Sequence, residues 1–201
     1  MEVICSDDSE VNESFPNTNY GAETIISVGR TGVNFTCSYM AFNISDKPNN
    51  FIKVQLAVNL WYSGASDQDY ELQLVEVNTY FGGIWSETNI TWNSKPEFYE
   101  FITLFNVNTT SQSKTYLFDI TNRTDEGFKY ISLAFQTIEE GECDCLSKEY
   151  SPSNSSDAPR LILSYLDNQP KIPFSDFSII GLIITFGIAV KIIKMKYKKQ
   201  T

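Results

Sequence analysis

The sequence predicts an all-β fold, an antiparallel two-sheet sandwich of jelly-roll type, followed by one transmembrane helix at the C-terminus. Three observations carry this. Between residues 10 and 166 no window sustains helical periodicity. Short runs of alternating apolar and polar residues recur there instead, bounded by Gly, Asn and Pro. Beyond Pro170 the chain turns apolar and then lysine-rich.

The strands follow in order. Thr24 to Val28 and Tyr39 to Phe42 are the first two runs. Lys53 to Tyr62 is the clearest, because Val54, Leu56, Val58, Leu60 and Tyr62 point one way while Lys53, Gln55, Ala57, Asn59 and Trp61 point the other. One face is core and the other wet. Leu72 to Val77 slips phase between Leu74 and Val75, which predicts a bulge. Tyr116 to Ile120, Lys129 to Phe135 and Leu161 to Tyr165 complete the set, with Ser151 to Pro159 as a loop before the last strand. Seven or eight strands of this kind suit a sandwich.

The organisation that results is an extracellular sandwich over residues 1–166 (core 10–165), a linker over 167–173, a transmembrane helix over 174–195 and a basic tail over 196–201. The uncharged run Phe177 to Val190 is short for a bilayer, but Lys191 can snorkel and Ile192 to Met195 extend the apolar stretch. From Lys171 onward six lysines stand against one acidic residue, a net +5, whereas the remainder has 9 basic and 24 acidic residues, a net −15. The lysine cluster places the C-terminus in the cytoplasm and the sandwich outside. Met1 to Ser6 lacks the basic and apolar character of a signal peptide, so an exterior sandwich implies either a start that is truncated or processed, the favoured reading, or insertion driven purely by the tail.

Charge and composition also exclude functions. With no histidine there is no Ser-His-Asp or Cys-His pair and no imidazole metal site. The net charge of −10 opposes nucleic-acid phosphates as partners. Two features agree with an exterior location. Asn-x-Ser/Thr sequons occur at Asn12, Asn34, Asn43, Asn89, Asn108, Asn122 and Asn154. The four cysteines, Cys5, Cys37, Cys143 and Cys145, predict two disulfides, with Cys143 and Cys145 too close in sequence to bond each other without strain.

Four motifs in order carry a family resemblance: Asn17-Thr18-Asn19-Tyr20-Gly21 with Val28-Gly29-Arg30; Trp85-Ser86-Glu87-Thr88-Asn89-Ile90-Thr91-Trp92-Asn93-Ser94-Lys95-Pro96; Phe118-Asp119-Ile120-Thr121; and Pro159-Arg160-Leu161-Ile162-Leu163-Ser164-Tyr165. Together they resemble the DNRLRE domain, also called the disaggregatase-related or family 96 carbohydrate-binding module. The resemblance implies a β-jelly roll on secreted and surface proteins of archaea and bacteria, often beside polysaccharide lyases or hydrolases, with uronate-rich glycans among the ligands. Archaeal members with a C-terminal anchor look much like this chain. Where the family commonly has a basic residue leading the second strand, this chain has Cys37-Ser38. Arg30, Lys53 and Lys95 remain as cations for an acidic sugar.

The expected function is therefore a membrane-anchored, non-catalytic module that binds polysaccharide or surface glycan, its partners being the glycan, the bilayer and other surface proteins. The alternative is a structural surface protein whose sandwich packs against protein. Trp61, on the polar phase of its strand beside Asn59, is the candidate platform for a pyranose face. Trp85 and Trp92 read as packing residues and Glu87 as a backbone-bonding residue of the same loop. Asp119, Asn19 and Glu23 are the oxygen donors available for a structural calcium ion.

Overall fold

In a computed structural model of the chain, the described residues are 1–47, 51–62, 70–77, 85–107, 113–123, 129–150 and 156–165. The strands are β1 (Glu2–Ile4), β2 (Asp7–Asn12), β3 (Ile25–Thr31), β4 (Asn34–Asn43), β5 (Phe51–Tyr62), β6 (Tyr70–Val77), β7 (Phe98–Val107), β8 (Lys114–Asp119), β9 (Tyr130–Gln136), β10 (Gly141–Leu146) and β11 (Arg160–Tyr165). The one helical element among the described residues is a 3-10 turn, Thr121–Arg123. No helix among them is long and apolar enough to cross a membrane. The expected linker, transmembrane helix and tail lie outside the described residues.

All pairings are antiparallel, and hydrogen bonding runs continuously through eleven strands. The result is sandwich-like, with two layers. In the first, β5 pairs with β8 on one edge and with β11 and then β10 on the other, while β1 flanks β11. In the second, β4 pairs with β9 on one edge and with β2 on the other, and β9 leads to β6 and β7. Strand β3 joins the layers, bonding β10 along one side and the start of β4 along the other.

All seven predicted strands are present, and the predicted irregularity is real: the β6–β7 register shifts between Leu74 and Val75. Four strands escaped the pattern. β2 is acidic, yet Asp8 and Ser9 are buried. β10 reads as a cysteine motif, and β7 is apolar without clean alternation. β1 has only three residues.

The main core lies between the layers. Val54, Leu56, Val58 and Leu60 of β5 meet Met40 and Phe42 of β4, Leu133 and Phe135 of β9, and Leu72 and Leu74 of β6. A second core sits on the far side of the second layer, where Cys37, Tyr39, Ala41, Val75, Val77 and Ala134 pack against Trp85 and Ile90. β4 is therefore apolar on both faces, which is why it is buried without a break from Cys37 to Phe42.

Candidate functional site

The longest of the sequence motifs is structural. Residues 85–97 form a strap across the outside of the second layer. Trp85, 7% exposed, sets its ring edge-on to Tyr39 at 5.9 Å and donates from Nε1 to Ser132 Oγ at 2.7 Å. Tyr39 stacks on Phe98 and donates its hydroxyl to the Pro96 carbonyl. Lys95 holds its Nζ 4.0 Å from the centroid of the half-buried Trp92 ring. The Asn-Tyr-Gly segment pins the strap from the other side. Asn19 Nδ2 donates to the carbonyls of Glu87 (2.6 Å) and Ile90 (2.7 Å), and Asn93 Nδ2 donates to Asn17 Oδ1. Gly21 lies so close that a Cβ there would sit 2.1 Å from the Glu87 carbonyl oxygen, so only glycine fits.

The other motifs are local devices. Asp119 Oδ1 accepts from Thr121 Oγ1 (2.6 Å) and Thr121 N (3.0 Å), and these bonds hold its carboxyl below the usual carboxylate range. Thr121 Oγ1 in turn takes the N–H of Val54, tying the turn after β8 to β5. Arg160 of β11 reaches Glu2 of β1 and the carbonyls of Ser156 and Ala158.

The outer face of the first layer holds a cleft of about 240 Å³ lined by Ile25, Trp61, Ser113, Leu146 and Tyr150. Strand register builds it: Trp61 lies opposite Asp144 on β10, Asp144 lies opposite Ser27 on β3, and Ile25 lies opposite Leu146. Trp61 is half-buried, while Tyr150 is 50% exposed. Ser27 Oγ donates to Asp144 Oδ1 at 2.9 Å. The cleft thus combines two aromatic side chains with Ile25, Leu146 and the Ser113 hydroxyl, with the Asp144–Ser27 pair next to Trp61 in register, and none of its described lining residues is cationic.

The sequence placed Trp61 correctly on this face but surrounded it with the wrong residues. Asn59 is 7% exposed, donating to the Asp157 carbonyl (3.0 Å) and accepting from Thr115 Oγ1 (2.6 Å), so it braces the strand rather than facing solvent. Ala57 beside it is fully buried, which corrects the expectation of a uniformly wet face: β8 and β11 flank β5 on both sides. The three cations are dispersed. Lys53 is exposed eight residues up β5, about 26 Å from Trp61 at 3.3 Å per residue. Arg30 is occupied at the β3–β4 hairpin by the carbonyls of Gly32 and Ile138 and by Glu140. Lys95 belongs to the strap on the other layer. Tyr150, Leu146 and Ile25 were not identifiable as lining residues, because only strand pairing brings them beside Trp61.

The calcium ligands read from the sequence are likewise not gathered. Asn19 spends its amide on strap carbonyls, Asp119 on Thr121, and Glu23 is an exposed residue whose carbonyl accepts from Ser147 Oγ. The expected disulfides are also corrected, since all four cysteines are free, buried thiols. Cys37 faces the strap core, whereas Cys5, Cys143 and Cys145 face the core between the layers, so the body of β4 separates Cys37 from any partner. Of the sequons, Asn43, Asn89 and Asn122 are exposed, Asn12 and Asn34 are half-buried, and Asn108 and Asn154 lie outside the described residues.

An antiparallel β-sandwich with an aromatic cleft on one sheet face is the architecture of many sugar-binding modules. The chain belongs to carbohydrate-binding module family 96, whose profile matches residues 1–165. That match covers every described strand. Modules of this kind are typically non-catalytic. No curated protein matches the chain.

Proposed function

We propose that the protein is a non-catalytic carbohydrate-binding or adhesion module that holds a neutral glycan in the Trp61–Tyr150 cleft, displayed outside the cell on a C-terminal membrane anchor. The observation that carries this is the cleft itself: two accessible aromatic side chains on the sheet face of a member of a sugar-binding family. The apolar face of a pyranose stacks on such rings, while Ser113 lines the cleft and Asp144 and Ser27 follow Trp61 in register as groups that can bond its hydroxyls. A bare uronate would meet no cation among the described lining residues, with the Asp144 carboxylate next to Trp61 in register, on a region of net charge −15. The apolar run and lysine cluster after Pro170 support the anchor and its orientation.

The test is a glycan array probed with the full chain in detergent, followed by calorimetry on its hits. Neutral oligosaccharides should bind more tightly than uronate oligomers. Trp61→Ala should weaken binding at least tenfold with little change in melting temperature, and Tyr150→Ala should weaken it less. Undiminished binding by Trp61→Ala, or a large loss of stability, would place the site elsewhere. Protease added outside intact cells should remove the sandwich and spare the lysine tail.

A second reading, a surface protein that packs against its own copies, has one observation in its favour. Among the described residues, edge strand β7 pairs with β6 alone and exposes Tyr99, Phe101 and Leu104. Concentration-dependent self-association, with no glycan bound at millimolar levels, would favour it.

A further inference from the structure

Three carboxylates from three separate segments meet where β10 ends. Asp8 comes from β2, Glu87 from the strap and Glu149 from the turn after β10, and each brings an oxygen within 4.8 Å of the others. They are not the residues whose spacing suggested a calcium site, and no strand pairing visible in the sequence joins them.

Asp8 is the member that ordinary packing does not explain. It is 1% exposed. Its Oδ2 accepts the Lys148 backbone N–H at 2.8 Å, but its Oδ1, also buried, has no hydrogen-bond partner among the described residues. A buried carboxylate oxygen without a donor is costly, and such atoms are rare unless an ion or ligand answers them. Burial pushes the Asp8 carboxyl up to about 8, with the Lys148 N–H opposing and Glu149 adding to the rise.

Among the described residues, the ammonium in ion-pair contact with this cluster is that of Lys148, whose Nζ lies 2.7 Å from Glu87 Oε2 and touches Glu149 Oε1. Partial desolvation works against the Lys148 charge, but Glu149 and Glu87 overcome it and raise its pKa. One ammonium against three carboxylates leaves two negative charges uncompensated when all are ionised.

We propose that Asp8, Glu87 and Glu149 form a binding site for a hard divalent cation, Ca²⁺ in preference to Mg²⁺, which competes with the Lys148 ammonium for the same oxygens. The donor set is all oxygen and carries formal charge, as hard cations require. Each of its three carboxylates can bind through one oxygen or two, which suits the larger, variable coordination shell of Ca²⁺ better than the strict octahedron of Mg²⁺. The Lys148 side chain is 20% exposed, so its long stem has a route by which the head can swing to solvent. A bound ion would fasten the strap to β2 and to the end of β10, where Asp7 Oδ1 already takes the Glu87 N–H.

The test uses the full chain in detergent, stripped with chelator and titrated calorimetrically with CaCl₂ and separately with MgCl₂. One saturable Ca²⁺ site is expected, with a melting temperature that rises with added Ca²⁺ and much less with Mg²⁺. Asp8→Asn should weaken Ca²⁺ at least tenfold. Lys148→Met should strengthen it by about tenfold, because the competing charge is gone; a merely structural Lys148 would not do this. Should Lys148→Met fail to fold, Glu149→Gln serves instead and should weaken binding as Asp8→Asn does. No saturable heat from wild type at millimolar Ca²⁺, or an Asp8→Asn variant that binds as wild type, would overturn the proposal. Neither readout involves sugar, so the result is independent of the glycan site.

Discussion

Gly21→Ala is the sharpest probe of how the strap is held. A Cβ at this position would meet the Glu87 carbonyl oxygen at 2.1 Å, its carbon at 2.7 Å and its Cβ at 2.9 Å. Restoring ordinary contact requires the strap or the 17–23 segment to retreat by about 1.3 Å. The two bonds from Asn19 Nδ2, at 2.6 and 2.7 Å, cannot stretch so far and survive. Two lost hydrogen bonds at about 1 kcal/mol each, added to an overpacking cost of about 1–3 kcal/mol, give a destabilisation of about 3–5 kcal/mol. For a unit of this size that lowers the melting temperature by about 6–20 °C. Denaturant unfolding followed by tryptophan fluorescence measures it directly, since Trp85 and Trp92 sit in the strap. Gly32→Ala is the control: its φ is +64° but nothing lies within 4 Å, so only the backbone cost of about 1–2 kcal/mol applies. A Gly21→Ala variant as stable as Gly32→Ala, or more so, would refute the close-approach argument.

Three further outcomes are expected. Trp85→Ala should cost about 4 kcal/mol in the same unfolding assay, because it empties a buried ring site and orphans Ser132 Oγ, while leaving glycan affinity unchanged in the folded fraction. Unfolding without reductant should release four thiols to Ellman's reagent, and the native chain at pH 8 should release none: burial pushes Cys37 up to about 12 and also raises Cys5, Cys143 and Cys145. In chelator, stability should fall as pH rises from about 4 to 8. Asp8 is protonated in the folded state over that interval and ionised in the unfolded one, so the folded state binds the extra proton. The groups around Asp8 are Lys148, Glu149, Glu87, Cys5 and Cys145. Asp8→Asn should remove most of the slope, leaving the part due to Glu10, which burial also raises. A slope unchanged in Asp8→Asn would show that Asp8 titrates normally.

The all-β class, seven strands, the β6 irregularity and the packing role of Trp85 were legible in the sequence, because each rests on local periodicity or on the size of one side chain. The role of Trp61 was half legible. Alternation along β5 correctly turned it away from the core, but the same alternation called Asn59 wet when neighbouring strands bury it. The cysteines show the same limit. Spacing and compartment suggested bridges, while β4 places Cys37 on one of its faces and the other three cysteines beyond the opposite one.

What the sequence determined by itself was the fold class and the division of charge, −15 before residue 171 and +5 after it, since both are sums over neighbours in the chain. What only the tertiary structure decided was which side chains share a site. Tyr150 and Ile25 join Trp61, and Asp8 joins Glu87 and Glu149, through antiparallel register and strap packing between segments up to about 140 residues apart. Contacts of that separation are fixed by burying apolar faces against each other, and no local pattern in the chain encodes them.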